Sequence, residues 1–308
     1  MTYLSVCSGI EAVSVAWEPL GFKPIGSSEI ESFPCELLKQ KYPNVKNYGD
    51  ITQHEKWNIG QFDILVGGTP CQPFSIAGKR GGTADERGAL MYAYLGIVET
   101  YRPRWVIWEN VPGVLSSNSG YDFTSFLACL EECGYGWAYR VLDAQYFGVP
   151  QRRRRVFVVG HSDNRTDLAA KVLFEPESMC GNIATGSETQ KETAIFIGKG
   201  ISYFRRGGNY KYHKDKKAAT LRSGAASDCF DLVLASEKKD IRRLTPLECE
   251  RLQGFPDNWT QIEWRGKPAE QCPDSLRYKA IGNSMAVPVM RWIGERIRMI
   301  ESNLSREG

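Results

Sequence analysis

The sequence predicts an α/β protein of Rossmann-like type, and three observations carry that expectation. Thr2–Val6 reads as a strand, Cys7-Ser8-Gly9 as a turn, and Ile10–Leu20 as a helix closed by Pro19 and Gly21. Strand, glycine turn and helix open the nucleotide-binding unit of such folds, where free amides at a helix start meet a ligand. Lys23–Ser28 is a second strand ending in an acid, Glu29. Phe62–Val66, apolar but for Asp63, and Trp105–Trp108 are short and rich in β-branched or aromatic residues, as strands buried on both faces should be.

Taken in order, Glu29 has two readings. At the end of a second strand it can accept hydrogen bonds from ribose hydroxyls, or it simply starts the helix Glu31–Gln40. Asp50, in Tyr48-Gly49-Asp50-Ile51, is either a ligand contact or the cap of a turn.

After the strand Phe62–Val66 comes Gly67-Gly68-Thr69-Pro70-Cys71-Gln72-Pro73. Two prolines restrict themselves and the residues before them, so Thr69 and Gln72 are held extended. A stiff loop presenting one thiol at a strand end suits a nucleophile; the alternative is a packing cysteine in a proline turn. Ile76–Gly82 is basic and glycine-rich, either a surface loop or a lid over the thiol. Ala89–Tyr101 follows as a helix, with Leu90, Ala93, Tyr94, Ile97 and Val98 on one face and Leu95 off it.

Glu109 ends the strand Trp105–Trp108, where ligands gather in open parallel sheets. It could instead cap a helix, but Pro112 and Gly113 favour a loop. Phe123–Cys133 is the next helix, and Tyr139–Ala144 and Arg155–Gly160 are further strands. Gln151 and four arginines, 152 to 155, precede the last of these. Such a run is a solvated edge or a phosphate contact. Alternation along an extended chain sets Arg153 and Arg155 on one face and Arg152 and Arg154 on the other.

Residues 163–192 are polar with no helical period, and Ala194–Gly198 suggests a strand. Between Lys199 and Lys217 lie seven basic side chains and one acid, a local net of +6 that leaves −3 for the rest of a chain carrying +3. Tyr203, Phe204, Tyr210 and Tyr212 interleave with these charges. That mixture fits phosphate contact and base stacking, or a solvated loop. Ala219–Arg222 leads to a strand at Leu232–Leu234. Thr245, Pro246 and Glu248 form the N-cap, first-turn proline and capping box of a helix ending before Gly254. A last helix, about 285–300, presents Val289, Trp292, Ile293 and Ile297 to a core.

Composition narrows the classes. With 308 residues, 42% hydrophobic and 24% charged, the chain can hold one large or two smaller domains. No apolar run is long enough to cross a membrane, and the start lacks a signal-peptide pattern. Nine cysteines without framework spacing and three histidines form no zinc pattern. A cytoplasmic protein with reduced thiols and no metal is expected. A cysteine hydrolase would need a histidine partner motif, which His54, His161 and His213 do not supply.

Pro70-Cys71-Gln72 resembles the catalytic loop of the cytosine-5 DNA methyltransferases, bacterial or phage type. Glu109-Asn110-Val111, Gln151–Arg155, Leu252-Gln253-Gly254-Phe255-Pro256 and Gly282-Asn283-Ser284 are similar to that family's other motifs, in the family's order. The resemblance implies a Rossmann-like S-adenosylmethionine-dependent methyltransferase domain with a smaller target-recognition domain. Residues 1–164 and 276–308 would form the catalytic part and 165–275 the recognition part.

It implies Cys71, Glu109, Arg153 and Arg155 as catalytic residues, with Gln151 also facing the pocket. It implies S-adenosylmethionine at Cys7, Ser8, Gly9, Ile10, Glu11, Glu29, Ile30, Asp50, Ile51, Pro70, Asn283 and Ser284. The expected substrate is cytosine in double-stranded DNA, and the expected enzyme is a monomer at the nucleoid. The tRNA cytosine methylases share these motifs and remain the alternative. A non-catalytic DNA-binding descendant is disfavoured by the intact Cys71, Glu109, Arg153 and Arg155.

Overall fold

The computed structural model describes residues 1–70, 86–174, 202–205, 212–215, 232–234 and 241–307. Its centre is a six-stranded sheet of β1 (Thr2–Val6), β2 (Lys23–Ser28), β3 (Ile64–Gly67), β4 (Trp105–Asn110), β5 (Gly136–Asp143) and β6 (Arg154–His161), in the order β2-β1-β3-β4-β6-β5. The first four strands are parallel, and β6 runs antiparallel to both β4 and β5. The order reverses between β1 and β3, which opens a crevice at their carboxyl ends. Because β6 is reversed, its amino end reaches that same edge: Asn110 pairs with Val156, and Arg154 and Arg155 extend beyond.

Both faces of the sheet are covered, which explains the continuous apolar runs. Tyr3, Ile64, Val66, Trp105 and Ile107 face one core. The alternate residues Leu4, Val6, Leu65, Val106 and Trp108 face the other. The first core is packed by α1 (Ala12–Trp17), α5 (Thr166–Leu173) and the last helix, α8 (Val287–Glu307). The second is packed by α3 (Glu86–Tyr101) and α4 (Tyr121–Glu132). On α8, Val289, Ile293 and Ile297 are buried. Trp17 Nε1 donates to Met290 O at 2.7 Å, so the end of the chain returns to its beginning. Gly294 permits the approach, since a Cβ there would lie 2.5 Å from Trp17 Nε1.

Several elements differ from the sequence expectation. The first helix starts at Ala12, not Ile10, because Cys7, Gly9 and Glu11 all take left-handed backbone angles. Glu18–Leu20, where Pro19 falls, is a separate 3₁₀ turn. The expected off-face Leu95 is buried, as α3 is covered on more than one side. α2 spans Ser32–Lys41. β5 begins at Gly136, three residues before the expected strand, and α8 runs on to Glu307.

A second, four-stranded antiparallel sheet has the order β10-β9-β7-β8, from β7 (Ser202–Arg205), β8 (Tyr212–Asp215), β9 (Leu232–Leu234) and β10 (Ile241–Arg243). The anticipated strand at Leu232–Leu234 is present, and parts of the basic insert are strands. Ala194–Gly198 and Ala219–Arg222 lie outside the described residues. α6 (Pro246–Gln253) has the anticipated capping box of Thr245 and Glu248, and it ends at Gly254 with φ 81°. α7 (Asp274–Asn283) follows and was not anticipated. Among the described residues no helix is long and apolar enough to cross a membrane.

Candidate active site

The crevice is built from strand ends. Beyond β1, Ser8 N donates to Ser28 O at 3.1 Å, and Ser8 Oγ accepts from Ser28 N at 3.2 Å, which sews the ends of β1 and β2 together. Gly9 has φ +55° with open space around a notional Cβ, so conformation rather than room calls for glycine there. Glu29 takes up amides on both sides. Its Oε2 accepts from Gly9 N at 2.7 Å, and its Oε1 accepts from Ile30 N and Glu31 N, both at 2.8 Å.

Asp50 caps the turn Ile51–Lys56 by accepting from Thr52 N at 2.9 Å, the structural reading anticipated for it. Ile51 is buried, and Ile30 is 68% exposed at the mouth. Asn47 joins these parts, because its Oδ1 accepts from both Glu29 N and Gly49 N at 3.0 Å. Nothing in the local pattern around Asn47 marks it as part of a site.

Glu11 and Cys7 lie in the same loop but face inward. Glu11 is buried; its Oε1 accepts from Ser14 Oγ at 3.0 Å, while Oε2 has no partner. Ser14 Oγ in turn bonds Tyr3 Oη at 2.7 Å. Burial pushes the Glu11 carboxyl up to about 7. Burial, with Glu29 and Asp50 nearby, pushes the Cys7 thiol up to about 12, so it stays protonated and is no nucleophile. Ile10 is buried, and its carbonyl accepts from Trp259 Nε1 at 2.8 Å. This tie between the loop after β1 and the segment after α6 spans 249 positions and has no sequence signal.

On the other side of the crevice, Thr69 is pinned to β4. Its Oγ1 accepts from Trp108 Nε1 at 2.9 Å, and its carbonyl accepts from Asn110 Nδ2 at 3.0 Å. The extended segment that Pro70 imposes is thus anchored at a fixed place beside Glu109. Gly68 leaves room for that acid: a Cβ at 68 would lie 2.6 Å from Glu109 Oε2 and 3.5 Å from Met285 Cε. Cys71 and the basic segment Ile76–Gly82 lie outside the described residues.

Glu109 is largely desolvated and pairs with Arg155, Nε to Oε1, at 3.0 Å. Burial raises its carboxyl above the ordinary range, against the pull of Arg155 and Arg153. The expected alternation of the arginines is only partly present: Arg153 is buried and Arg154 exposed, but Arg152 and Arg155 are both partly covered, and β6 begins only at Arg154. Arg153 donates from one terminal nitrogen to Gly282 O at 3.1 Å and Ser284 O at 2.5 Å. Desolvation, with Arg155 adding to it, pushes its guanidinium down to about 9. Gln151 is fully buried, and neither Oε1 nor Nε2 has a partner among the described residues. Asn283 is exposed and Ser284 buried.

Two groups of anticipated residues therefore meet at one sheet edge. Cys7–Glu11, Glu29, Ile30, Asp50 and Ile51 lie at the ends of β1 and β2. Thr69, Pro70, Glu109, Arg153 and Arg155 lie at the ends of β3, β4 and β6, and Arg153 draws in the turn Gly282–Ser284. Among the described residues no His, Cys, Asp and Glu cluster has the makings of a metal site. The side of the crevice at β1 and β2 offers carboxylates at Glu29 and Asp50 beside apolar Ile30 and Ile51. Such a set suits a cationic nucleoside with ribose hydroxyls, and S-adenosylmethionine is one.

Comparison with known proteins agrees with this geometry. The family model for C-5 cytosine-specific DNA methylases matches residues 1–193 and 181–299. A protein of Escherichia phage P1 named DNA N-6-adenine-methyltransferase is 35% identical over 96% of this chain, which spans 61% of that relative's length. Type II methyltransferase M1.ScrFI of Lactococcus lactis subsp. cremoris is 31% identical over 89% of this chain and 72% of its own. The crystal structure of the S. pombe Dnmt2 methyltransferase superposes with a TM-score of 0.70 at 16% identity, covering 97% of this chain and 99% of its own, a likeness of fold. With its Rossmann-like sheet, the chain belongs to the C-5 cytosine-specific DNA methylase family, whose cofactor is S-adenosylmethionine.

Proposed function

We propose that the protein transfers a methyl group from S-adenosylmethionine to carbon 5 of a cytosine flipped out of a specific duplex DNA sequence. The observation that carries the reading is the largely covered Glu109–Arg155 pair beside the anchored Gly68–Pro70 segment that leads into Cys71. Carbon 5 of cytosine is a poor nucleophile. Addition of the Cys71 thiolate to carbon 6 pushes an electron pair toward ring nitrogen 3, where Glu109 delivers a proton. That role needs an acid raised toward neutrality, which burial provides.

Arg155 holds Glu109 in place and would meet the base's oxygen. S-adenosylmethionine supplies the electrophilic methyl group, held by the donor loop, Glu29, Asp50 and Asn283–Ser284. After carbon 5 takes the methyl, its proton is lost to a base, the double bond re-forms and the thiolate is expelled. Glu109 recovers its proton from nitrogen 3. A stacked base is out of reach of this chemistry, so the target must leave the helix.

Residues 165–275 contain the basic, aromatic segment and are proposed to choose the target sequence, while 1–164 and 276–308 do the chemistry. Exchange of 165–275 with a relative's segment should move the methylated site. The reading also takes the protein as a cytoplasmic monomer acting at the nucleoid, which light scattering and cell fractionation would check.

One specific observation favours a second reading: the phage P1 relative is named an adenine methyltransferase. Hydrolysing DNA from expressing cells to nucleosides separates the two. 5-Methylcytosine is expected, together with a covalent adduct to DNA containing 5-fluorocytosine that Cys71→Ser abolishes. N6-methyladenine without 5-methylcytosine would overturn the proposal, and 5-methylcytosine in tRNA alone would replace its substrate.

A further inference from the structure

A helix leaves its last carbonyls without intrahelical partners. At the end of α7 these groups are met by buried side chains from distant elements. Ile281 O accepts from Gln253 Nε2 at 3.2 Å, while Gly282 O and Ser284 O both accept from Arg153. Arg153 is 2% exposed, and its partners lie 129 and 131 positions away. A guanidinium at a helix carboxyl end is also favoured by the helix dipole. The same side chain senses Arg155 and Glu109 electrostatically on its other side. Met285, next after the turn, brings its Cε toward Gly68, where Glu109 Oε2 also lies.

The sequence motif would have Arg153 serve the base. We infer instead that Arg153 is a positioning residue for the donor site: by fixing the carbonyls of Gly282 and Ser284 it sets the turn carrying Asn283, so that donor affinity depends on it even when no DNA is bound. The inference rests on the reading of Asn283 and Ser284 as donor contacts. Without Arg153, two carbonyls lose a charged donor in a place where water is excluded. Such hydrogen bonds are among the stronger ones. The turn would relax and Asn283 would move with it.

The test is calorimetric titration with S-adenosylhomocysteine, in the absence of DNA, of the full-length protein and of Arg153→Met, Arg153→Lys and Arg154→Met. Thermal melting of each protein is recorded in parallel. Arg153→Met should bind about tenfold or more weakly. Arg153→Lys keeps the charge and some donation, and should recover part of that loss at an unchanged melting temperature. Arg154→Met, at an exposed position, should bind as the parent does. Unchanged affinity in Arg153→Met would overturn the inference and leave Arg153 to the base. Losses in both Arg153 variants that merely track the unfolded fraction would overturn it too. Failure of the parent protein to bind S-adenosylhomocysteine would instead bring down the donor reading itself, a pattern distinct from loss in the variants alone.

Discussion

Gly68→Ala is the substitution through which the geometry of the acid can be tested most directly. The added methyl would start 2.6 Å from Glu109 Oε2 and 3.2 Å from Glu109 O. To restore ordinary contact the carboxylate must retreat by about an ångström. It cannot do so freely, because Arg155 holds its other oxygen at 3.0 Å. Either the ion pair is stretched or the backbone of the Gly68–Pro70 segment moves off β4, where Thr69 is fixed by Trp108 and Asn110.

Overpacking of this kind costs about 1–3 kcal/mol of stability, and a misplacement of about 1 Å at a reacting centre costs roughly 10²-fold in rate. Single-turnover methyl transfer to unmethylated plasmid DNA, with melting temperature recorded alongside, measures both. The expected outcome is a folded variant that binds S-adenosylhomocysteine normally and turns over about 10²-fold more slowly. A variant with the parent rate would show that the position of Glu109 does not limit the reaction, and would refute the reasoning.

Glu11→Gln should stabilise the protein at high pH only. The folded Glu11 carboxyl is raised from 4.5 to about 7, so its contribution is fully present below about 4.5 and is lost as pH rises through about 7. A permanently neutral amide avoids that loss, worth about 3 kcal/mol above neutrality. Denaturant unfolding at pH 4.5 and pH 8 checks it, and an equal difference at the two pH values would refute it. Trp259→Phe removes the donor to Ile10 O while keeping a ring near Phe255. Loss of about 1 kcal/mol should weaken S-adenosylhomocysteine binding several-fold by calorimetry, and unchanged binding would mean the donor loop does not need this tie.

The strand β1, the burial of β3 and β4 on both faces, the capping box at Thr245 and the apolar face of α8 were all legible locally. Each depends on residues only a few positions apart. The acid at the end of β4 was legible for the same reason, and so was the opposite exposure of Arg154 and Arg155 at the start of β6. Partnership was not legible. Nothing near Arg153 says that its guanidinium closes the end of α7, and nothing near Trp259 says that it holds Ile10 O.

The inward turn of Glu11 depends on three left-handed residues in a five-residue loop, a conformation that helix periodicity does not encode. The sequence by itself determined which strand ends hold the candidate residues, because hydrophobic period and proline stiffness act over a single element. Only the tertiary structure decided which side chains hold one another there. The reversed β6 lies beside β4, and the returning α8 ties Trp17 to Met290, 273 positions away; no local preference specifies either meeting.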